Sequence, residues 1–212
     1  MHKQKSLVLY LALSTAAFVF LTVLVKAESI LTADLSILLS ISLLRNDSLT
    51  EFMKIATSFG GYMGILLVLM TSLTLFIRKH SREAAIVLLV TLASFSVNTL
   101  LKEIIRVNRP SDSTLLDLSS YSYPSGHSMA AFTIYVLLAL ILSKFYPKMT
   151  TIWYFVATAL ILLVGFSRMY LGVHYFSDVI GGFIAGGIVL LAFRLGLITY
   201  REKQKPLLRK KR

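Results

Sequence analysis

The chain has 212 residues, of which 56% are hydrophobic and only 15% are charged, and its mean hydropathy is +0.76. A soluble globular domain carries about 25% charged residues because its surface must face water, so this composition excludes such a domain and indicates a bilayer. Lys and Arg (22) exceed Asp and Glu (10) by 12, and the lack of cysteine excludes disulfides, zinc ribbons and thiol catalysis.

Six apolar runs are long enough to predict membrane-spanning helices. The first run is longer than a signal-peptide core, and no cleavage site follows it, so we predict a retained helix. Segment 29–44 is also apolar, but it is short and contains Asp34, which favours an interfacial or re-entrant helix. The predicted spans are 7–25, 61–77, 84–101, 129–145, 152–166 and 179–198.

The distribution of charge favours six spans over seven and predicts their orientation. With six spans, one side holds 15 Lys and Arg against two Glu, and the other side holds seven against eight acidic residues. The positive-inside rule makes the basic side cytoplasmic, whereas a seventh span would break this separation. We therefore predict an all-α bundle of six transmembrane helices, in a single domain covering 1–212, with both termini in the cytoplasm.

The basic tail, residues 201–212, is too short and polar to form a domain of its own. We interpret it as a topology anchor that contacts anionic lipid headgroups. A nucleic-acid partner is disfavoured because no aromatic stacking platform accompanies these charges.

Ionisable residues near membrane depth are energetically costly and therefore indicate function. Three separate segments bring such residues to the outer face, although the positive-inside rule disfavours basic residues there. These groups are Lys102, Arg106 and Arg109 after the third span, Ser125, Gly126 and His127 at the start of the fourth, and Arg168, His174 and Asp178 between the fifth and sixth.

A metal site is one interpretation of this set, since His127, His174 and Asp178 resemble a two-histidine, one-carboxylate triad. The neighbouring Lys and Arg side chains argue against it, because they would repel a divalent cation. The same side chains suit the oxygens of a phosphoryl group, which a guanidinium binds with two donors and an ammonium as a point charge.

The two histidines have the spacing needed for phosphoryl transfer. If the last helix begins near Tyr175, His174 and Asp178 lie one turn apart on the same face. The carboxylate would fix one ring nitrogen of His174 and leave the other free to attack. His127 would protonate the departing oxygen and then activate water. The Pro-Ser-Gly turn before His127 opens a helix, an arrangement that binds anions.

These segments resemble the three-part signature of the type 2 phosphatidic acid phosphatase (PAP2) family, within the acid phosphatase/vanadium haloperoxidase superfamily. All three parts occur in order, without a departure, between residues 102 and 178. They are Lys102, six residues and Arg109-Pro110; then Pro124-Ser125-Gly126-His127; then Ser167-Arg168, five residues, His174, three residues and Asp178.

The resemblance implies a six-helix membrane enzyme whose site faces outward and works without a metal or other cofactor. It implies that His174 is the nucleophile and forms a phosphohistidine, that Asp178 orients it, and that His127 is the general acid and then the base. The residues implied to hold the phosphate are Lys102, Arg109, Ser125, Gly126 and Arg168.

Other polar and small residues have simpler interpretations. Arg106 is expected to be a membrane anchor, and the small-xxx-small pair Gly182 and Gly186 is expected to allow close helix packing. Four tyrosines are typical of an outer aromatic belt, and two loop aspartates are expected to be solvated. These residues are Tyr121, Tyr123, Tyr170 and Tyr175, and Asp112 and Asp117.

The sequence therefore predicts a lipid phosphatase of a bacterial cytoplasmic membrane, acting on a membrane-embedded substrate at the outer leaflet. Candidate substrates are phosphatidylglycerophosphate, undecaprenyl diphosphate and, ranked lower, phosphatidic acid. One alternative is a phosphotransferase that passes the phosphoryl group to a lipid or sugar hydroxyl. Another is an anionic-lipid transporter that uses the same cations without chemistry. The sequence makes no prediction of oligomeric state.

Overall fold

The computed structural model describes residues 2–110, 114–116 and 120–209, and these residues form helices and connecting segments without a strand. Asp112, Asp117, residues 210–212 and the side chains of the tail beyond Glu202 lie outside the described part, so the predictions made for them stay predictions. The helices are α1 (His2–Lys26), α2 (Leu31–Ser42), α3 (Asp47–Ser58), α4 (Tyr62–Ile77), α5 (Ser81–Ile105), α6 (Gly126–Phe145), α7 (Thr150–Tyr170) and α8 (Phe176–Arg209).

Six stretches of the described chain are long and apolar enough to cross a membrane, which confirms the predicted number. They are Gln4–Lys26, Asp47–Ile77, Ser81–Ile105, Gly126–Phe145, Pro147–Tyr170 and Phe176–Glu202. Segment 29–44 contains the 12-residue helix α2, which is about 18 Å long and too short to cross a hydrocarbon core of about 30 Å.

The second span is longer than predicted and is broken in the middle. The prediction began at Gly61, but α3 precedes α4 in the same stretch, and the two helices meet at Phe59, Gly60 and Gly61. The apolar run did not reveal α3 because this helix is amphipathic and carries Asp47, Glu51 and Lys54. An amphipathic helix has too low a mean hydropathy to be recognised as part of a span.

Helix α6 lies at the centre of the bundle. Of its apolar stretch, 61% is buried inside the protein, against 6–28% for the other spans. Gly182 and Gly186 of α8 face α6. A Cβ added at Gly182 would lie 2.6 Å from the Ser125 carbonyl oxygen, and one added at Gly186 would lie 2.9 Å from the Met129 carbonyl oxygen. The prediction that these glycines serve close helix packing is therefore confirmed.

Two of the tyrosines predicted for an outer aromatic belt are buried instead. Tyr123 and Tyr170 have no exposed surface. The hydroxyl of Tyr123 lies 3.2 Å from Thr22 Oγ1, and the hydroxyl of Tyr170 accepts a hydrogen bond from the Asn46 backbone N–H at 3.2 Å. The belt assignment is wrong for both residues because partners inside the protein satisfy their polar ends, so the rings can be buried.

Candidate active site

The ends of four helices meet at one end of the bundle and bring the three motif segments together. The segment after α5 is tied to the segment before α6, since the Ser122 backbone N–H donates to the Val107 carbonyl at 2.7 Å. The start of α6 is tied to the start of α8, since the Ser125 N–H donates to the Asp178 carbonyl at 3.0 Å. These backbone hydrogen bonds fix the positions of the motif side chains relative to one another.

The predicted His174–Asp178 pair is present. Helix α8 begins at Phe176, and His174 Nδ1 lies 3.3 Å from Asp178 Oδ2. The same carboxylate oxygen accepts hydrogen bonds from the Tyr175 backbone N–H at 2.9 Å and from the Ser122 hydroxyl. His174 and Asp178 are almost completely buried, so these contacts are shielded from water.

Hydrogen bonding indicates which tautomer His174 adopts. Its Nε2 lies 3.2 Å from Arg109 Nη1, and a guanidinium has donors but no acceptor. Nε2 must therefore carry the lone pair, which leaves the proton on Nδ1, where Asp178 Oδ2 and the Ser122 hydroxyl at 3.2 Å can accept it. Burial lowers the pKa of His174 well below its usual value, and nearby Arg168, Arg109 and Lys102 lower it further. The ring is neutral, with its basic nitrogen toward the cations.

Two of the basic side chains are held by neutral oxygen acceptors of the segment before α6. Lys102 Nζ donates to the carbonyl oxygens of Tyr121 and, at 3.1 Å, Ser122. Arg109 Nε donates to the Ser120 carbonyl at 2.6 Å, and Nη2 donates to the Ser120 hydroxyl at 3.0 Å. Burial lowers the pKa of Arg109, but an arginine side chain stays charged at physiological pH. The contacts orient both cations without neutralising them.

Arg168 is the most deeply buried of the three cations. Its exposed fraction is 2%, and Nη1 donates to Thr57 Oγ1 of α3 at 2.8 Å. Its Nε has no hydrogen-bond partner among the described residues. A buried, charged donor without an acceptor is costly, so this atom indicates that an anion is the natural partner of the site.

These groups surround a cavity of about 310 Å³. Six of the eight predicted site residues line it, together with Gly60 and Gly61 from the break in the second span. The other two lie behind the wall: Asp178 beneath His174, and Ser125 at the N-cap of α6, where its Oγ lies 2.9 Å from Ser128 Oγ. The six lining residues are Lys102, Arg109, Gly126, His127, Arg168 and His174.

The alternative metal triad is not assembled. In the described part of the chain, no three His, Asp or Glu side chains are grouped so that they could share a metal ion. His127 instead packs against the break in the second span, where an added Cβ on Gly61 would lie 3.0 Å from His127 Nε2. A side chain larger than glycine would therefore displace this imidazole.

Sequence reasoning missed four polar residues that support the site. These residues belong to no recognised motif, although Asp34 was noted in the sequence as a charged residue within an apolar segment. Asn98 Nδ2, for example, donates to the Pro124 carbonyl at 3.2 Å and so holds the turn before His127. The four are Asp34, Thr57, Asn98 and Ser122.

The chain is similar in sequence to a protein family and to a bacterial protein. The family model of the PAP2 superfamily matches residues 83–201, which is more than half of the chain. Phosphatidylglycerophosphatase B of Bacillus subtilis (strain 168) is 34% identical over 190 residues, covering 88% of this chain and 90% of that protein.

Two solved structures are also similar. The crystal structure of the transmembrane PAP2-type phosphatidylglycerolphosphate phosphatase from Bacillus subtilis matches with a TM-score of 0.80 at 32% identity, covering 95% of this chain and 98% of that chain. The crystal structure of LpxE from Aquifex aeolicus matches with a TM-score of 0.54 at 25% identity, covering 74% of this chain and 93% of that one.

Proposed function

The chain belongs to the PAP2 superfamily and is a membrane phosphatase, and from this premise we propose that it removes the terminal phosphate of phosphatidylglycerophosphate. The name of the Bacillus subtilis relative supports this substrate first. Undecaprenyl diphosphate and phosphatidic acid are the alternatives, because the motif residues surround a phosphate and do not select the lipid tail.

In the proposed reaction, His174 Nε2 attacks the terminal phosphorus and the bond from phosphorus to the leaving oxygen breaks. His127 gives its proton to that oxygen, so the lipid alcohol departs and a phosphohistidine remains. His127 then takes a proton from water, and the water oxygen attacks phosphorus. The phosphorus–nitrogen bond breaks, inorganic phosphate leaves, and both histidines return to their starting states.

The observation that carries this proposal is the environment of His174 Nε2. This atom carries a lone pair that, in the described part of the chain, accepts a hydrogen bond from Arg109, and His174 lines the same cavity as Lys102 and Arg168. When the N–H donors of Arg109 bind a phosphate instead, Nε2 of His174 would be free to attack. Charge stabilisation by the three cations, with Gly126 lining the cavity and Ser125 at the α6 N-cap, is what phosphoryl transfer chiefly requires.

We further propose that the reaction needs no metal or other cofactor. Three fixed cations already supply the charge that a divalent ion supplies in many phosphatases. Asp178 is engaged by Ser122, Tyr175 and His174, so it is poorly placed to act as a metal ligand.

The orientation belongs to the proposal as well. The excess of Lys and Arg at the ends of the spans opposite the site supports cytoplasmic termini and an outward-facing cavity in a bacterial cytoplasmic membrane. We treat residues 1–212 as one membrane-embedded phosphatase domain whose partners are the bilayer and its lipid phosphate substrate.

The test is phosphate release by the protein purified in detergent with excess chelator, measured with each of the three lipids. We expect activity in chelator, a preference for phosphatidylglycerophosphate, and loss of at least about 10³-fold in His174→Ala and His127→Ala. His80→Ala is the matched control, since the His80 ring lies in a tilted contact with the Phe145 ring, away from the site, and it should keep full activity. Loss of activity on chelation would refute the metal-free mechanism, and activity in both site variants would refute the assignment.

Two alternatives make different predictions in the same assay. A phosphotransferase would form a phosphorylated acceptor when a lipid or sugar alcohol is added. An anionic-lipid transporter would release no phosphate, and His174→Ala would leave its function largely intact.

A further inference from the structure

Helix α2 places a buried carboxylate at the start of α8, next to the proposed catalytic pair. Asp34 is 6% exposed. Its Oδ1 accepts a hydrogen bond from the Ser177 backbone N–H at 3.0 Å, and its Oδ2 accepts one from the Ser177 hydroxyl at 2.6 Å. In the described part of the chain, Asp34 forms no ion pair, and its two hydrogen bonds from Ser177 are its main polar contacts.

These contacts complete the cap of α8. The first N–H groups of a helix lack intrahelical acceptors, and the side chain of a Ser, Thr, Asp or Asn at the N-cap normally accepts a hydrogen bond from one of them. Here the N-cap position is Tyr175, whose side chain is not of that class. Asp178, three residues on, accepts the Tyr175 N–H as in one half of a capping box. Asp34, on a different helix, accepts the N–H of Ser177 at the second helical position, a donor that an N-cap side chain normally binds.

Two carboxylates, Asp34 and Asp178, therefore accept hydrogen bonds from backbone N–H groups at the start of α8. Asp178 Oδ2 already receives Ser122, Tyr175 and His174. If Asp34 were absent, the Ser177 N–H would lose its acceptor and the first turn of α8 would be free to shift. Asp178 would then shift with it, because it follows Ser177 directly.

We propose that Asp34 is a positioning residue for the phosphatase reaction: by capping α8 from α2, it holds Asp178 in contact with His174. This inference rests on the proposed function of His174 as nucleophile. It also assigns a role to the short helix α2, which provides the hydrogen-bond acceptor that the side chain at the N-cap of α8 lacks.

The burial of this carboxylate supports a specific role. Burial raises the pKa of Asp34, the nearby Asp178 charge raises it further, and the hydrogen bonds from Ser177 oppose both effects. Lys26, Glu28, Arg106 and Arg109 line the adjoining cavity of about 200 Å³. A carboxylate at this position is costly without its hydrogen bonds, and a membrane-surface helix could carry an apolar residue there instead.

The test compares three variants on α2 by their kcat and KM for phosphatidylglycerophosphate and by their Tm in detergent. Asp34→Ala removes both acceptors, and we expect kcat to fall about tenfold or more, because small misplacements of reacting groups are costly. KM should change less than about twofold, since the phosphate-binding cations are untouched. Asp34→Asn keeps an acceptor for the N–H and offers a donor to the hydroxyl, so kcat should stay within about threefold of wild type.

Leu38→Ala is the matched control. Leu38 is one turn further along α2 and equally buried, so its truncation loosens the helix but leaves the cap intact. We expect a lower Tm with an unchanged kcat. Ser177→Ala, which loses only the hydroxyl contact, should lower kcat less than Asp34→Ala and keeps the test decisive if Asp34→Ala does not fold.

Three outcomes would overturn the inference: wild-type kcat in Asp34→Ala, an equal loss of kcat in Leu38→Ala, or a rise in KM without a fall in kcat. Failure of the proposed function gives a different result, because His174→Ala would then stay active whatever the Asp34 variants do.

Discussion

Gly182 lies at the close contact between α6, which carries His127, and α8, which begins two residues after His174. A Cβ at this position would lie 2.6 Å from the Ser125 carbonyl oxygen, 2.9 Å from Ser128 Cβ and 3.1 Å from the Met129 backbone nitrogen. These atoms belong to the backbone and to a buried side chain, so they cannot rotate away. Restoring an ordinary contact of 3.4 Å requires the helices to separate by about 0.8 Å.

That separation acts directly on the site. The hydrogen bond from the Ser125 N–H to the Asp178 carbonyl, 3.0 Å long, joins α6 to α8 one turn away from Gly182. Lengthening it moves His127 relative to His174. Because misplacement of reacting groups by 1 Å can cost about 100-fold in rate, Gly182→Ala should lower kcat by about 10- to 100-fold. Overpacking of this kind also destabilises by about 1–3 kcal/mol.

The same helix offers a matched control. Gly196 is also in α8, but an added Cβ there meets nothing within 4 Å. Gly196→Ala should therefore keep wild-type kcat and raise the stability by up to about 1 kcal/mol, the difference in helix propensity. The assay is kcat at saturating lipid, together with Tm in the same detergent. Gly182→Ala with a kcat within twofold of wild type would refute the claim that this contact positions the histidines.

Three further predictions concern groups that support the site. Ser122→Ala removes the hydroxyl that donates to Asp178, so kcat should fall about tenfold while KM for the lipid changes little. Thr57→Val removes the acceptor for Arg168 Nη1, so KM should rise severalfold in the same assay, with a smaller change in kcat. The lowered pKa of His174 keeps its ring neutral below pH 6.5, so the acid limb of the kcat/KM profile should lie below that value. In the unfolded chain His174 binds a proton near pH 6.5. The free energy of unfolding should therefore fall as the pH drops further below 6.5. The Tm of His174→Gln should fall less than that of the wild type between pH 7 and pH 5.

The sequence could predict the charged part of the site because charge near a membrane is costly. Lys102, Arg109, Arg168 and His174 stood out against an apolar background, and their spacing matched a known signature. The structure brings these four residues to one cavity. The one-turn spacing of His174 and Asp178 was equally readable, since it depends only on where α8 begins.

The supporting hydroxyls could not be predicted in the same way. Ser and Thr are common in membrane helices and carry no large cost, so neither Thr57 nor Ser122 was distinctive. Their partners are also distant in sequence: Thr57 meets Arg168 across 111 positions. Tyr123 and Tyr170 were misassigned for the same reason, because the residues that bury their hydroxyls lie on other helices.

The hydrogen bonding of the three basic side chains in the site indicates the charge of the ligand. Among the described residues, Lys102, Arg109 and Arg168 form no ion pair and are oriented by neutral acceptors. These are carbonyl oxygens, the Ser120 and Thr57 hydroxyls and the neutral imidazole of His174. Neutral acceptors fix the geometry but leave the positive charge unbalanced, whereas a carboxylate partner would compete with an incoming anion. A phosphate monoester can carry two negative charges and a phosphate diester only one. Three cations against the single buried carboxylate of Asp178 leave an excess of positive charge. This excess favours a terminal phosphate, which the proposed reaction requires, over an internal phosphodiester.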